Sequence, residues 1–249
     1  MPIPQFLFGA LLLLGLPACR GSEADPKTTR VFAAASLTAS FQDLAAGFES
    51  SHPGSKIELH FAGTPQLVVQ VREGAPVDVV ACADETNMLR IVETGTTVAA
   101  PVVFARNRLT IVTAKENPRG IRGLGDLARD DVRVLLCGPE VPAGRYARQA
   151  FERAGVRVKS LSDEPSVNAV VSKVQLAEVD AGVVYVTDAT RASDRVAAVA
   201  IPDEQNVLAS YPIVPLDAGA NRAGGEAFVD FVLSPAGQGV LQRHGFSPP

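Results

Sequence analysis

Tryptophan is absent from this chain, and aromatic residues make up only 6% of it. That supply argues against a platform on which bases or sugars stack. Only three cysteines and three histidines are present, with no CxxC pair and no Cys/His cluster of the kind that holds a structural cation. Basic residues are not in excess: 23 Lys and Arg face 27 Asp and Glu, and the net charge of -4 argues against a general nucleic-acid binder. No repeat and no low-complexity tract interrupts the sequence. What remains, 249 residues of which 47% are hydrophobic, suits one large or two modest globular domains.

The one long apolar run covers residues 6–16. It has the length of a secretory h-region and is too short to span a bilayer. Leu16-Pro-Ala-Cys19 follows it and resembles a bacterial lipobox, which would make Cys19 the lipidated first residue of the mature protein. The alternative is an ordinary cleaved signal peptide; both imply export. Residues 20–29 are polar, with Gly21 and Pro26, and read as a flexible tether. Cys82 and Cys137 each sit in an apolar run and read as small buried hydrophobes. A disulfide between them is left open by spacing alone.

From residue 30 onward strand and helix patterns alternate. Val31-Phe-Ala-Ala-Ala-Ser-Leu37 reads as a buried strand ending at Ser36, which is placed to cap a helix carrying Leu37, Phe41, Leu44, Ala45 and Phe48 on one face. A strand over residues 56–61 leads to Thr64, a candidate N-cap, with Pro65 at N1 and Gly74 as the stop. A third strand over 76–82 leads to Asp84, which caps a helix to about residue 94. Further strands are expected at 109–113, 132–137, 180–185 and 196–201. Helices begin after Val141-Pro-Ala-Gly144 and at Ser166, and Asp188 is a candidate cap for a short one. Two prolines in residues 211–216 place that extended segment at an edge or a crossing. Such alternation indicates parallel sheets covered on both faces, with ligands expected beyond the carboxyl ends of the strands. Each strand-to-helix junction offers free N–H groups and the positive end of a helix dipole to an anion.

Six motifs recur in a fixed order: Val31-Phe-Ala-Ala-Ala-Ser-Leu-Thr38, Phe61-Ala-Gly-Thr64, Gly74-Ala-Pro-Val-Asp78, Ala83-Asp84, Val141-Pro-Ala-Gly144 and Gly182-Val-Val-Tyr-Val-Thr-Asp-Ala189. Together they resemble the molybdate-binding proteins of bacterial ABC transporters over residues 30–246. The resemblance implies an α/β, two-lobed type II periplasmic-binding-protein fold, each lobe a mainly parallel sheet flanked by helices, with the ligand in the cleft. Behind a signal peptide (1–18) and a lipidated tether (19–29), the first lobe would span 30–107 and 211–249, and the second 108–210. It implies an oxyanion held by the hydroxyl and N–H of Ser36 and Thr64 from one lobe. The N–H groups of Ala143 and Val167 and the phenol of Tyr185 would come from the other. It further implies molybdate or tungstate as ligand, no cofactor, no cation site, an ABC permease as partner, a membrane anchor at Cys19, and a monomer. Thr64 stands where that family often has serine, and Pro65 beside it withholds one N–H.

The chemistry of these positions agrees with the resemblance. A tetrahedral dianion has four acceptor oxygens and no proton, so a site made only of donors suits it. Monoprotonated phosphate would want a carboxylate acceptor, and none of the five residues is acidic; sulfate remains the competing ligand. Arg145 adds positive charge at the cleft mouth or else is a solvated helix residue. An exported serine hydrolase using Ser36 is the alternative from another class. It lacks the GxSxG elbow, and no motif places His52, His60 or His244 at the cleft. A lipid-anchored adhesive or regulatory module on the same fold is the third. The anchor is directly testable: Cys19→Ala should move the protein out of the membrane fraction, and a variant that stays with the membrane contradicts lipidation at Cys19.

Overall fold

The sequence pattern builds outward from β1 (Thr28–Ala34), whose Val31 and Ala33 are fully buried. The structure, a computed structural model, describes residues 27–249. The apolar leader, Cys19 and the tether as far as residue 26 lie outside the described residues. β1 runs parallel to β2 (Lys56–Ala62), in register from Thr28 opposite Lys56 to Ala34 opposite Ala62, and to β3 (Val79–Ala81). Thr28 and Thr29, expected in the tether, therefore belong to the first strand, because β2 supplies ladder partners that far back.

Two sheets share one long strand. β4 (Val102–Ala114) pairs through residues 102–108 with β9 (Leu208–Pro215), which in turn lies antiparallel to β3. From Leu109 to Ala114 the same strand pairs instead with β7 (Ala181–Tyr185) and β8 (Val196–Ala200). β5 (Val134–Cys137) and β6 (Ser160–Glu164) continue that second sheet in parallel with β7. Each lobe thus holds three parallel strands, with antiparallel pairs at the join. β9 already pairs in the first sheet from Leu208, ahead of the expected return at 211.

One strand of these sheets was not expected from the sequence, and another resolves an open choice. β6, Ser-Leu-Ser-Asp-Glu, is an edge strand largely open to solvent, so it carries no apolar alternation to read. Of the two alternatives left by its prolines, β9 is the crossing: it brings the chain from the second sheet back to the first and lies between β3 and β4. Pro212 sits opposite Val103, where the register with β4 shifts, and its carbonyl accepts from Cys82 N at 2.9 Å. The missing N–H thus falls at an irregularity, where a ladder bond is already lost.

The helices cover the sheets as their apolar spacing dictates. α1 (Thr38–Ser51) buries Phe41, Leu44, Ala45 and Phe48. α2 (Thr64–Arg72) buries Leu67, Val68 and Val71 and ends before Gly74, whose φ of +81° suits glycine. α3 (Glu85–Val92) is capped by Asp84, which accepts from Asn87 N at 3.2 Å. α4 (Pro142–Ala154), α5 (Val167–Gln175) and α6 (Val186–Arg191) belong to the second sheet. α7 (Arg222–Leu233) and α8 (Pro235–Arg243) return to the first, where Phe41, Phe48 and Phe228 meet edge to face.

Two buried aspartates hold the strand starts in an equivalent way in each lobe. Arg30 N donates to Asp78 Oδ2 at 2.7 Å while Asp78 N donates back to Arg30 O at 2.9 Å. Arg133 N and Asp180 repeat the exchange at 2.8 and 2.9 Å. Cys82 and Cys137 are free and buried, not bridged. Burial pushes both thiols well up, so they stay protonated and pack as apolar groups.

Candidate functional site

The carboxyl ends of β1, β2, β5, β6 and β7 converge from the two sheets on one cavity of ≈ 20 Å³. A volume of that order accommodates a very small occupant and excludes a sugar, nucleotide or peptide. Ser36, Thr64, Ala143, Val167 and Tyr185 all line it. The structure therefore brings together in one place every residue that the sequence proposed, although they are spread over 150 positions of the chain.

Each is placed by a local rule, though not always the expected one. Ser36 does not cap α1. It lies within a 3-10 turn (Ala35–Leu37) that precedes the helix, where Thr38 Oγ1 donates to Ala35 O at 2.7 Å. Its own hydroxyl, freed from capping, lies 3.0 Å from Tyr211 Oη. Thr64 is the first residue of α2 and not its cap; Gly63 holds that position, and Pro65 follows within the first turn. Thr64 Oγ1 accepts from Ala83 N at 3.5 Å, which leaves its proton to point elsewhere. Asp188 likewise sits inside α6, and its Oδ2 accepts from Tyr185 N at 3.2 Å. Asp84 and Ser166 cap as expected, Ser166 accepting from Ala169 N at 3.4 Å.

The helix starts supply unsatisfied donors. In α4, Arg145 N is the first to reach back into the turn, to Val141 O at 3.0 Å; Pro142 has no N–H, and Ala143 N precedes that bond. In α5, Val170 N makes the same bond to Ser166 O at 3.3 Å, and Val167 N precedes it. Such first-turn N–H groups have no partner inside the helix and carry the positive end of its dipole. Tyr185 Oη completes the set: its residue is 1% exposed, and among the described residues the hydroxyl has no hydrogen-bond partner. An orphaned buried O–H facing a cavity is costly unless a ligand accepts from it. Burial, above all, keeps the phenols of Tyr185 and Tyr211 protonated, so both remain donors.

No charged side chain lines the cavity. Charges nearby are spent on each other. Arg145 of α4 pairs with Asp84 at the start of α3, so its charge faces a buried carboxylate. The pair ties one lobe to the other. Asn168 Nδ2 does so again, donating to Ala35 O at 3.2 Å. Gly63 packs directly beneath the Pro165 carbonyl across the cleft. The cleft is closed in this structure. The residues missed by sequence reasoning are those that act between lobes, Asn168, Pro165 and Tyr211, because nothing in local spacing reports a contact between segments distant in the chain.

The serine-nucleophile geometry is not present. His244 and Asp43 pair at 2.8 Å beside an adjoining pocket that shares Ser36, but the Ser36 hydroxyl is turned to Tyr211 and no histidine bonds it. Among the described residues no group of His, Cys, Asp and Glu is arranged to hold a metal ion.

The comparisons with known proteins bear on this cleft. Residues 29–247 match the family described as bacterial extracellular solute-binding protein. The molybdate-binding protein ModA of Mycobacterium tuberculosis is 35% identical, across 98% of this chain and 97% of that one. Among solved structures, the periplasmic molybdate-binding protein of Azotobacter vinelandii superposes with a TM-score of 0.78 at 18% identity, covering 89% of this chain and 99% of that one. The sulfate-binding protein SubI of Mycobacterium tuberculosis gives 0.77 at 18%, covering 89% and 86%. At those identities the structural likeness speaks for the fold.

Asp188 beneath the cleft carries a measurable consequence. Burial, opposed by Arg191 and by the Tyr185 N–H, raises its carboxyl from 3.8 to about 7. The unfolded chain ionises near the ordinary value and the folded chain near 7, so folding takes up a proton in between. The corresponding stability is complete below about pH 4 and is lost as pH rises through about 7, a loss on the order of a few kcal/mol. Asp188→Asn should be as stable as the wild type at pH 4 and more stable at pH 8 by urea unfolding. An advantage that does not grow with pH contradicts this assignment.

Proposed function

This chain belongs to the bacterial extracellular solute-binding proteins, and we propose that within that family it captures molybdate, and tungstate with it, for delivery to an ABC permease. It is a binding protein and not an enzyme. The observation that carries the reading is the composition of the cavity: hydroxyls and helix-start N–H groups from two lobes, with an orphaned Tyr185 O–H, and no carboxylate or cation among the lining groups. Ser36 and Thr64 offer hydroxyl and N–H from one side, and Ala143, Val167 and Tyr185 offer N–H and O–H from the other. Each oxygen of a tetrahedral dianion then meets donors, and no group in the site needs a proton from the ligand. Helix dipoles offset the charge without a buried counter-ion, which would itself cost desolvation.

Donors contributed by both lobes make affinity depend on closure. The division into lobes at 30–107 with 211–249, and 108–210, rests on the change of β4 partners between Arg108 and Leu109, with β9 as the second connection. The same reading has the protein exported, tethered by a lipid on Cys19 and acting as a monomer. Sulfate is the second candidate, because a lining of donors alone serves any unprotonated tetrahedral dianion.

Calorimetry of the mature protein against molybdate, tungstate, sulfate and phosphate tests the ligand. Molybdate and tungstate should bind most tightly and phosphate least, and ligand at ~100 times Kd should add about 2.7 kcal/mol to thermal stability. Ser36→Ala should cost about 1.5–3 kcal/mol of molybdate binding, the worth of a hydrogen bond to a charged group. Tightest binding of sulfate selects that ion instead, and no response to any of the four overturns the oxyanion reading. A second variant tests closure. A methyl group added at Gly63 would run into Pro165 O of the opposite lobe. Gly63→Ala should therefore weaken molybdate by at least about tenfold; unaltered affinity means the lobes need not meet there.

A further inference from the structure

Arg145 and Asp84 face each other from opposite sides of the cleft. Asp84 follows Ala83, and Arg145 lies just beyond Ala143; both alanines line the cavity, so the pair stands beside it. Among residues 28–249 every other ion pair closes within a single lobe. The two partners are unequal. Asp84 belongs to the β3–α3 junction of the first lobe, and its side chain is 1% exposed. Its Oδ1 is spent on α3, accepting from Asn87 N at 3.2 Å and from Asn87 Nδ2 at 2.9 Å. Its Oδ2 has no hydrogen-bond partner among the described residues, and what meets it is the guanidinium of Arg145. Arg145 comes from α4 of the second lobe; its side chain is 25% exposed, and its Cζ lies 5.8 Å from the centre of the Tyr146 ring. The arginine has a route to water, whereas the carboxylate has none.

We propose that Arg145 is a positioning residue for ligand affinity: it neutralises Asp84 only where the lobes meet, so that the pair latches the closed form and slows release of the anion. The inference rests on the oxyanion reading of the cleft and adds a residue outside the contact set. With the lobes apart, water solvates both charges. With the lobes together and Arg145 absent, the Asp84 carboxylate would be sealed beside an anion of its own sign, with one oxygen unpaired. Breaking a buried pair by removing one member is costly because it strands the other charge, whereas replacing both members by neutral groups is often harmless. Asp84 thus makes closure conditional on Arg145. Affinity that depends on closure becomes conditional on it too.

The test is a double-mutant cycle read as molybdate affinity, by calorimetry on the full mature chain. Arg145→Met keeps an unbranched side chain and removes the charge. It should weaken molybdate on the order of a hundredfold, with faster release. Asp84→Asn retains a capping oxygen for α3 and leaves Arg145 its route to water, so it should cost less than about tenfold. The double variant should bind at least about tenfold more tightly than Arg145→Met, because no charge is then stranded. Arg72→Met removes the same charge from a pair with Glu93 that lies wholly within the first lobe, and should bind as the wild type does. A double variant no tighter than Arg145→Met overturns the proposal, because a stranded carboxylate is then not the source of the loss. An equal loss in Arg72→Met overturns it as well, because overall charge alone then accounts for the effect. Should Arg145→Met not fold, Arg145→Gln takes its place with the same expectations. If the wild type binds sulfate and not molybdate, the cycle is read with sulfate and the same ratios apply. Absence of any oxyanion binding by the wild type would remove the functional reading itself, whereas wild-type binding that Arg145→Met leaves unchanged removes only the latch.

Discussion

On the proposed function, holding a small dianion away from water without a counter-cation is the constraint on which this architecture turns. A buried charge must be met by hydrogen-bond donors on all sides, and the cheapest fixed donors in a protein are the first N–H groups of helices. One helix start cannot surround a tetrahedron. Two sheets whose strands run toward a common cleft can, because each parallel strand ends in a new helix aimed at the gap. The five proposed contacts come from five such ends, and the two lobes that carry them touch through Arg145 with Asp84, Asn168 with Ala35 and Gly63 with Pro165. The charged pair is kept beside the site and satisfied by itself, so that it ties the lobes without offering a cation to the cavity.

The hydroxyl groups add what the helix starts lack, which is adjustable direction. That freedom has to be removed again if the site is to discriminate. Thr64 Oγ1 accepts from Ala83 N, which leaves its proton for the cavity, and the Ser36 hydroxyl is held beside Tyr211 Oη at 3.0 Å. Tyr185 differs in having no partner for its own hydroxyl among the described residues, and its backbone N–H is instead held by the buried Asp188. Burial raises the Asp188 carboxyl to about 7, which limits the negative charge beneath the cleft at lower pH.

Much of this was legible in the sequence because the signals are local. Apolar spacing gave α1, α2 and α5, Gly74 stopped α2 where a positive φ was needed, and Asp84 and Ser166 capped the helices they precede. The five lining residues were found through motif order, since the side chains of Ala143 and Val167 say nothing by themselves. What stayed hidden depends on distant segments. Ser36 looked like a cap because a serine before an apolar helix usually is one; the intervening 3-10 turn and the partner at Tyr211 come from β9, 175 residues away. The prolines of residues 211–216 left an edge or a crossing open; the crossing is tolerated inside the sheet because the missing N–H of Pro212 falls at a register shift. β6 was invisible because an exposed edge strand buries too little to show a period.

Crystals of the mature protein grown with molybdate and measured at the molybdenum absorption edge would locate the anion directly. The account predicts a single anomalous peak in the cleft, with oxygens in hydrogen-bond reach of the Ser36, Thr64 and Tyr185 hydroxyls and of the Ala143 and Val167 N–H groups. A peak held by any other set of residues, or an empty cleft under saturating molybdate, would contradict it.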